Sequence, residues 1–432
     1  SSIEFFPEGG RSRTGFSLPP RPGLLSLVLR GFASLRGQRV KIIPIYIGYE
    51  KILEGQSYLS ELSGSQKKRE SILDPFKVLK DFNNYLGNAY LNFGNPIDLE
   101  KFLNENVSQD FHIDSPLDRP NWLKPTTRLL GEEIIKSINN SVAISSTSLF
   151  AISLLTDPTQ TLNKEKLKSR ISFYLNLIDQ STSYKDVWLT EKDPEEIIDR
   201  SERLRLIKHQ LIGADQVYRP DSNEVATLSF YKNNISHVFM LYSLMCESVR
   251  YIDKISKEEM NTLIKMVYPI FAREYFLHSD RIETQEIENT LNTLLDEGLL
   301  VSKETGFYCR PENNDDHVDQ YLSLSNICEP SLKRFYITMS VLWNKGHISM
   351  NDLRSNCDGI AKSLETLEGW PYPEFSDKTK FQNFLEFLIS EKYITEDKEK
   401  ELFAASKITV KAQESYKKFF DKKFIDLIQN IN

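Results

Sequence analysis

The pattern of apolar and polar positions in the first hundred residues predicts alternating helices and strands. At residues 23–35, apolar side chains recur every three or four positions, which is the period of one helix face. Residues 40–49 form a nearly continuous β-branched run, which is typical of a strand buried on both faces. A charge-rich helical stretch at 66–86 and a strand at 89–93 follow. This order of elements predicts an α/β layer, a mixed sheet with flanking helices.

Pro44 interrupts the β-branched run. Because proline has no amide proton for the strand ladder, we expect it to mark a bulge, an edge or a ligand-facing bend.

A proline-rich linker at 110–125 separates this layer from a mainly helical remainder. Apolar spacings of three and four residues predict helices at 126–139, 145–155, 163–178, 194–212 and 236–251. We therefore divide the chain into an α/β part at 1–109, the linker, a helical region at 126–280 and a second helical region at 281–432.

The last region contains two segments in which a helix leads into a short strand, at 287–301 and 381–394. This order resembles winged-helix domains, some of which bind DNA. DNA binding requires a basic face, whereas residues 281–300 contain five acids and one arginine. We therefore expect a packing or protein-contact module and no nucleic-acid partner.

The charge of the chain is distributed unevenly. Residues 1–72 contain eleven Lys or Arg and six acids, whereas the whole chain has a formal net charge of −7. Since basic residues are attracted to anionic headgroups, a basic amino-terminal part could lie on a membrane surface, although the arginines could equally serve substrate and solvent. No apolar run approaches the roughly 18–20 residues that span a bilayer. The four scattered cysteines suggest reduced thiols in a cytoplasmic compartment, and neither a disulfide framework nor a zinc site.

Residues 3–15 carry the densest group of functional side chains. Glu4, Phe5 and Phe6 alternate like the end of a strand, and a tight glycine turn then presents a carboxylate and two guanidinium groups. The planar guanidinium fork matches a phosphate, so this loop is predicted to bind a small phosphorylated ligand. A surface loop with a Glu–Arg ion pair is the structural alternative for any single arginine. Nucleotide binding is disfavoured because Phe16 stands where a Walker A loop needs its lysine.

The glycine–arginine loop contains the block Phe6-Pro7-Glu8-Gly9-Gly10-Arg11-Ser12-Arg13-Thr14-Gly15. This block resembles the third motif of the membrane-associated glycerol-3-phosphate acyltransferases of bacteria. Residues 40–50, with Pro44, resemble the fourth motif of that family, and residues 90–96, 230–237 and 373–378 resemble further segments of it.

The resemblance implies an acyltransferase that moves a fatty acyl group from acyl carrier protein or coenzyme A to the sn-1 hydroxyl of glycerol 3-phosphate, giving lysophosphatidic acid. It implies no metal and no cofactor, and a peripheral position on the cytoplasmic face of the bacterial inner membrane. Arg11 and Arg13 would hold the phosphate, Glu8 and Gly9 would shape the pocket, and Pro44 would line the acyl side. Gly10 and Ser12 complete the predicted substrate-binding set.

The general base of that family is a His-x-x-x-x-Asp motif upstream of the glycine–arginine loop, where this sequence has only seven residues before Glu8. The formal match His347 to Asp352 lies far downstream, and we interpret it as chance, with Ser349 as a helix cap. We therefore expect a carboxy-terminal part of a longer enzyme that is inactive alone. A non-catalytic lipid-surface or regulatory module and a dihydroxyacetone-phosphate acyltransferase are the alternatives.

Overall fold

A computed structural model describes most of the chain, in two compact units. One unit comprises residues 1–238 and 274–279, and the other comprises 239–273 and 280–432. The sequence-based division at 109, 125 and 280 is a different partition and stays a prediction. The described residues are 2–35, 37–52, 87–108, 110–312, 315–368, 378–397 and 399–431. The helix predicted at 66–86 and most of the segment at 373–378 lie outside them.

The first unit begins with the predicted helix. Helix α1 has proline at its first position, where the missing amide proton has no helical partner to lose. Its buried face, Leu25, Leu29 and Phe32, belongs to the core of this unit. The early elements are α1 Pro22–Ser34, β1 Lys41–Ile42, β2 Ile45–Tyr49, β3 Ala89–Phe93, β4 Ile97–Asp98, α2 Leu99–Asn106 and α3 Leu123–Asn140.

The run at 40–49 is broken at Pro44, as expected, but it is not buried on both faces. Strand β1 pairs with β4 and β2 pairs with β3, both antiparallel, so the chain changes sheets at the proline. Ile47 and Tyr49 point to the exposed face of the β2–β3 ribbon. The prediction of double burial was wrong because only the other face of this ribbon is covered. In the described part of this region the strands form small two-stranded ribbons among helices, which agrees with a partial α/β domain.

The predicted linker is irregular up to Leu123, where α3 begins before the predicted end at 125. It is packed against α1. Buried Arg30 donates to the carbonyl of Pro116 over 2.7 Å, and the ring of Phe111 stacks on Phe32 at 6.2 Å. This segment is therefore part of the core of the first unit.

The helical remainder of the first unit contains a short strand before each of several helices. Its elements are β5 Ala143–Ile144, α4 Ser146–Leu155, β6 Leu162–Asn163, α5 Lys164–Asp179, β7 Trp188–Leu189, α6 Pro194–Arg203, β8 Gln210–Ile212, β9 Asp215–Tyr218 and α7 Ser222–Ile235.

Two of the predicted helices are shorter than the apolar spacing suggested. The one at 194–212 ends at Arg203, since Arg205 adopts a left-handed φ of 55° and the chain then forms the β8–β9 hairpin. The one at 236–251 is a 3₁₀ turn, Ser236–Phe239, followed by a short helix that ends at Glu247. Apolar residues continue at helical spacing in both places, so this spacing alone predicted longer helices.

The second unit is mainly helical and contains two small three-stranded sheets. Its elements are α8 Met240–Glu247, β10 Ile255–Ser256, α9 Lys257–Glu274, α10 Thr284–Asp296, β11 Val301–Glu304, β12 Phe307–Cys309, α11 Asp315–Ser325, α12 Glu329–Lys345, β13 Ile348–Ser349, α13 Met350–Glu368, α14 Lys378–Ser390, β14 Ile394–Asp397, β15 Leu402–Ala405, α15 Lys407–Lys411, α16 Gln413–Lys417 and α17 Lys422–Ile431. The helix–strand successions predicted near 287–301 and 381–394 are both present.

One arrangement of elements occurs three times in the described residues: helix, short strand, two helices and a hairpin, with β7 between the two helices of the first copy. The three sheets have the same strand order, with the short strand paired to the second hairpin strand: β6-β9-β8, β10-β12-β11 and β13-β15-β14. In each copy the short strand ends on a polar residue that caps the next helix. Asn163, Ser256 and Ser349, spaced 93 residues apart, each accept the amide proton three residues on, at 2.9, 3.2 and 3.2 Å. We call these copies modules one, two and three.

Among the helices that the structure describes, none combines the length and apolar character needed to cross a bilayer. Cys246, Cys309, Cys328 and Cys357 are all buried and unbridged.

Candidate functional site

The glycine–arginine loop begins with a tight turn. The amide of Gly9 donates to the carbonyl of Phe6 over 3.1 Å, and the amide of Arg21 donates to Pro7 over 2.7 Å. Gly9 has a φ of 63°, and a Cβ there would lie 2.7 Å from Cγ of Arg21. Glycine is therefore required by both backbone conformation and space. The predicted strand end at Glu4–Phe6 was wrong, since these residues belong to no strand.

The second half of the loop is fixed to helix α7. Oγ of Ser12 accepts the amide proton of Gly15 over 3.0 Å, and Nδ2 of Asn233 donates to the carbonyl of Thr14 over 2.8 Å. Gly15 has a φ of 83° and lies against the backbone of Phe230. Asn233 lies in the last turn of α7 and holds the loop.

Glu8 faces the interior of the loop. Its half-buried carboxylate accepts the amide proton of Leu18 over 3.0 Å. Burial raises the pKa of Glu8 above its usual range, and the Leu18 hydrogen bond offsets part of this rise. Glu8 therefore ties the two ends of the loop together, which is a way of shaping a pocket.

Arg11 and Arg13 lie on the exposed side of the loop, on either side of half-buried Ser12. The two arginines are two residues apart on a segment that Ser12 and Asn233 hold in place. Two cationic forks on a fixed backbone can bind a dianion such as a phosphate monoester.

Asn139, at the end of α3, anchors the loop from below, and the sequence did not reveal it. Its Oδ1 accepts from Ser17 over 2.8 Å, and its Nδ2 donates to the carbonyls of Tyr275 and Phe276 over 2.9 and 3.2 Å. The loop also packs Phe16 edge-to-face on the ring of Tyr275, at 5.2 Å. A buried side-chain amide with these three partners holds the chain at Ser17, just after the loop, in one place.

Buried His237 completes this anchor. Its Nε2 lies 3.0 Å from the carbonyl oxygen of Asn139, and since a carbonyl only accepts, Nε2 carries the proton. Burial lowers the pKa of His237 to about 4, although the hydrogen bond to Asn139 opposes this. His237 is therefore neutral near pH 7 and supports the fold through its bond to Asn139.

Glu50, at the end of the fourth-motif segment, is the centre of a buried ion pair. It accepts two hydrogen bonds from Arg200 of α6, at 2.6 and 2.7 Å, one from the amide of Asn88 at 2.7 Å and one from the hydroxyl of Tyr90 at 2.8 Å. Burial raises the pKa of Glu50, but these donors outweigh it and hold the pKa below its usual range. This pair ties strands β2 and β3 to module one.

Helix α7 contacts both motif segments. The hydroxyl of Tyr231 accepts the amide proton of Ile52, just after β2, while Phe230 and Asn233 contact the glycine–arginine loop. The predicted site residue Pro44 lies in a different element from the loop. It is buried, its carbonyl accepts from Gly94 over 2.9 Å, and a Cβ on Gly94 would lie 3.4 Å from its ring. The structure thus brings Glu8 to Arg13 together in one turn and places Pro44 between two ribbons.

Comparisons with known proteins agree with the motifs. A family profile described as "Glycerol-3-phosphate acyltransferase C-terminal region" matches residues 58–397. Proteins named glycerol-3-phosphate acyltransferase are similar over most of the chain: 32% identity over 401 residues in Pseudomonas paraeruginosa and 34% over 398 residues in Pseudomonas putida. These alignments cover 92% and 90% of this chain but 48% and 47% of the relatives. The chain therefore spans about half the length of the relatives it matches.

Proposed function

Because the chain belongs to the glycerol-3-phosphate acyltransferase family, we propose that its glycine–arginine loop binds the phosphate of glycerol 3-phosphate. The reaction would transfer a fatty acyl group from acyl carrier protein or coenzyme A to the sn-1 hydroxyl. The observation that carries this proposal is the pair of exposed arginines, Arg11 and Arg13, on a loop held by Ser12, Glu8 and Asn233.

Rigidity of the loop supports the proposal as much as charge does. A phosphate held by mobile arginines must order them on binding, which weakens affinity. Here the turn at Gly9, the bond to Leu18 and the contact of Gly15 with α7 fix the backbone in advance. In the same proposal Gly10 leaves the ligand side of the turn open, since no atom lies within 4 Å of a Cβ built there. Pro44 would form part of the acyl side.

We expect Arg11→Ala to weaken glycerol 3-phosphate binding by roughly tenfold to a hundredfold, because a hydrogen bond to a charged group contributes about 1.5–3 kcal/mol. Arg11→Lys should recover only part of this, since lysine keeps the charge but loses the two-pronged geometry. Calorimetric titration of the 432-residue chain measures both effects. Arg119→Ala, at an exposed arginine outside the loop, is the control. Equal affinity in all four proteins would reject the assignment.

The 432 residues are proposed to lack the general base. For the formal match, His347 to Asp352, a helix-capping role supports this proposal: the carboxylate of Asp352 accepts from Oγ of Ser349 over 2.7 Å at the start of α13. We therefore expect the purified 432-residue chain to transfer no acyl group from a thioester to glycerol 3-phosphate, even where calorimetry detects binding. Turnover that survives His347→Ala would require another base within these residues.

The three modules are proposed to be winged-helix folds that serve packing and protein contact. The helix, strand, two-helix and hairpin order with one sheet topology supports this. In module two the helix before the hairpin, α10, carries acidic residues and no lysine or arginine, so a DNA-binding role is not proposed. Association with the cytoplasmic face of the inner membrane is likewise proposed, as a peripheral one.

A further inference from the structure

The β8–β9 hairpin of module one carries two large aliphatic side chains at its tip. Leu211 is 70% exposed and Ile212 is 61% exposed, and every residue from 210 to 215 is exposed. The strands are joined by Gly213 and Ala214, with a φ of 65° at Gly213, as tight hairpins require. The tip therefore exposes two aliphatic side chains, with Asp215 directly opposite Ile212 in the hairpin.

The other two modules show that the fold does not need these side chains. At the equivalent place, the last two residues of the first hairpin strand, module two has Lys303 and Glu304. Module three has Glu396 and Asp397 there. In module two both side chains are paired, Lys303 with Asp253 at 3.3 Å and Glu304 with Lys254 at 2.9 Å. Exposed Leu and Ile at this position in module one therefore need a reason other than hairpin formation.

Basic residues flank this hairpin in the sequence, while Glu195, Asp199 and Glu202 of α6 lie near Tyr218 at its base. Residues 203–219 contain four Lys or Arg and one acid, in a chain whose net charge is −7. Lys208 precedes β8 by two residues, Arg219 follows β9 directly, and both are exposed. Arg219 is four residues from Asp215 at the tip, which along an extended strand is roughly 13 Å. With their long side chains, these cations can reach the headgroup level while the tip lies deeper.

The base of the hairpin is held firmly. Glu202 of α6 accepts from the hydroxyl of Tyr218 over 3.0 Å and lies 2.6 Å from Nδ1 of His209. Val217 and Tyr218 are buried and pair with strand β6. The exposed tip is thus mounted on a fixed support.

We propose that this hairpin docks the protein on an anionic lipid bilayer, with Leu211 and Ile212 inserted among the acyl chains and Lys208 and Arg219 at the lipid phosphates. Two exposed aliphatic side chains at the tip, with exposed cations set back from it along both strands, match the depth profile of a bilayer interface. The inference rests on the peripheral membrane association proposed above and names the segment that makes the contact; it does not depend on phosphate binding at Arg11.

The test is co-flotation of the 432-residue chain with vesicles of phosphatidylcholine containing about one-third phosphatidylglycerol. Leu211→Asn/Ile212→Asn should reduce partitioning at least about tenfold, because each side chain otherwise buries apolar surface. The control Ile408→Asn/Val410→Asn, at another pair of exposed aliphatic residues, should bind like the parent protein.

Charge is tested in the same assay. Lys208→Gln/Arg219→Gln should reduce partitioning about tenfold, and the exposed pair Lys422→Gln/Lys423→Gln should change it much less. Raising salt from about 0.1 M to about 0.5 M should narrow this difference. A Leu211→Trp protein should show a blue-shifted emission on vesicles and quenching by brominated lipid, which reports insertion directly.

Several results would overturn the proposal. The parent protein could fail to float with the vesicles, or the Leu211→Asn/Ile212→Asn protein could float as well as the parent protein does. An unshifted emission of the Leu211→Trp protein when it is bound to vesicles would be the third such result. A concentration-dependent dimer that the tip substitution abolishes would assign the hairpin to a second copy of the chain instead. Because glycerol 3-phosphate titration is measured separately, failure of lipid docking and failure of phosphate binding are distinguishable.

Discussion

Gly15→Ala is expected to detach the glycine–arginine loop from helix α7. The φ of Gly15 is 83°, which costs an alanine about 1–2 kcal/mol. A Cβ at this position would also overlap the carbonyl oxygen of Phe230, and backbone cannot move aside as a flexible side chain can. Relief of the clash would separate the loop from α7 and break the hydrogen bond from Asn233 to Thr14, which contributes about 1 kcal/mol.

Together these effects should destabilise the first unit by about 3 kcal/mol or more, which lowers its Tm by roughly 5–10 °C. Glycerol 3-phosphate binding should fall by more than about tenfold, because the arginines lose their fixed backbone. Thermal unfolding and calorimetric titration measure the two changes. Gly10→Ala is the matched stability control from the same loop: a Cβ there meets no atom within 4 Å, so its Tm should stay near that of the parent protein. Equal Tm values for the two variants would contradict the described contact.

Arg200→Ala is expected to destabilise the first unit by about 3–5 kcal/mol, because it leaves the buried carboxylate of Glu50 without its charged partner. Glu50 is 0% exposed and would keep only its bonds from Asn88 and Tyr90. Denaturant unfolding measures the loss. Arg203→Ala on the same helix is the control, since Arg203 pairs with Glu196 at the surface, with exposures of 50% and 38%. Its effect should not exceed about 1 kcal/mol.

The contribution of Glu50 to the pH dependence of stability should also change sign in the Arg200→Ala protein. In the parent protein the pKa of Glu50 is below its unfolded value of 4.5, so the unfolded state binds more protons. Stability from this group is therefore present above pH 4.5 and is lost as the pH falls through the folded pKa. Without Arg200, burial dominates and raises the pKa, so the folded state binds more protons and stability falls as the pH rises above 4.5. A variant with the slope of the parent protein would argue against the Glu50–Arg200 pair.

Local signals predicted the local parts of this fold. Helix α1, strand β3 and the break at Pro44 follow from apolar spacing and from the missing amide of proline, both of which act within a few residues. The end of the helix at Arg203 was not predicted. The chain turns at Arg205 with a left-handed φ, and this position has neither the glycine nor the proline that would mark a turn in the sequence.

Long-range contacts could not be predicted in the same way. Glu50 and Arg200 are 150 residues apart, and Asn233 and Thr14 are 219 residues apart, so no window of sequence contains both partners. Asn139 looks like an ordinary helix end until its partners are in place. One missed feature did leave a signal: the capping residues Asn163, Ser256 and Ser349 recur every 93 residues, each after an apolar residue. A fixed spacing of this kind is the signal that a search for internal repeats uses.

The motif predicted which residues form the loop, and the structure adds the contacts that hold them. Glu8 to Arg13 lie in one turn, as the glycines suggested, while the supports at Leu18, Asn139 and α7 needed the folded chain. The role of the loop in phosphate binding stays a proposal.

The most direct test of that proposal is chemical footprinting of arginine with a dicarbonyl reagent, read by peptide mass spectrometry, with and without glycerol 3-phosphate. We expect the ligand to protect Arg11 and Arg13 and to leave Arg119 labelled as before, because only the loop arginines would be covered by the phosphate. Labelling of Arg11 and Arg13 at an unchanged rate, under conditions where calorimetry shows the ligand bound, would place the phosphate elsewhere and contradict the proposed site.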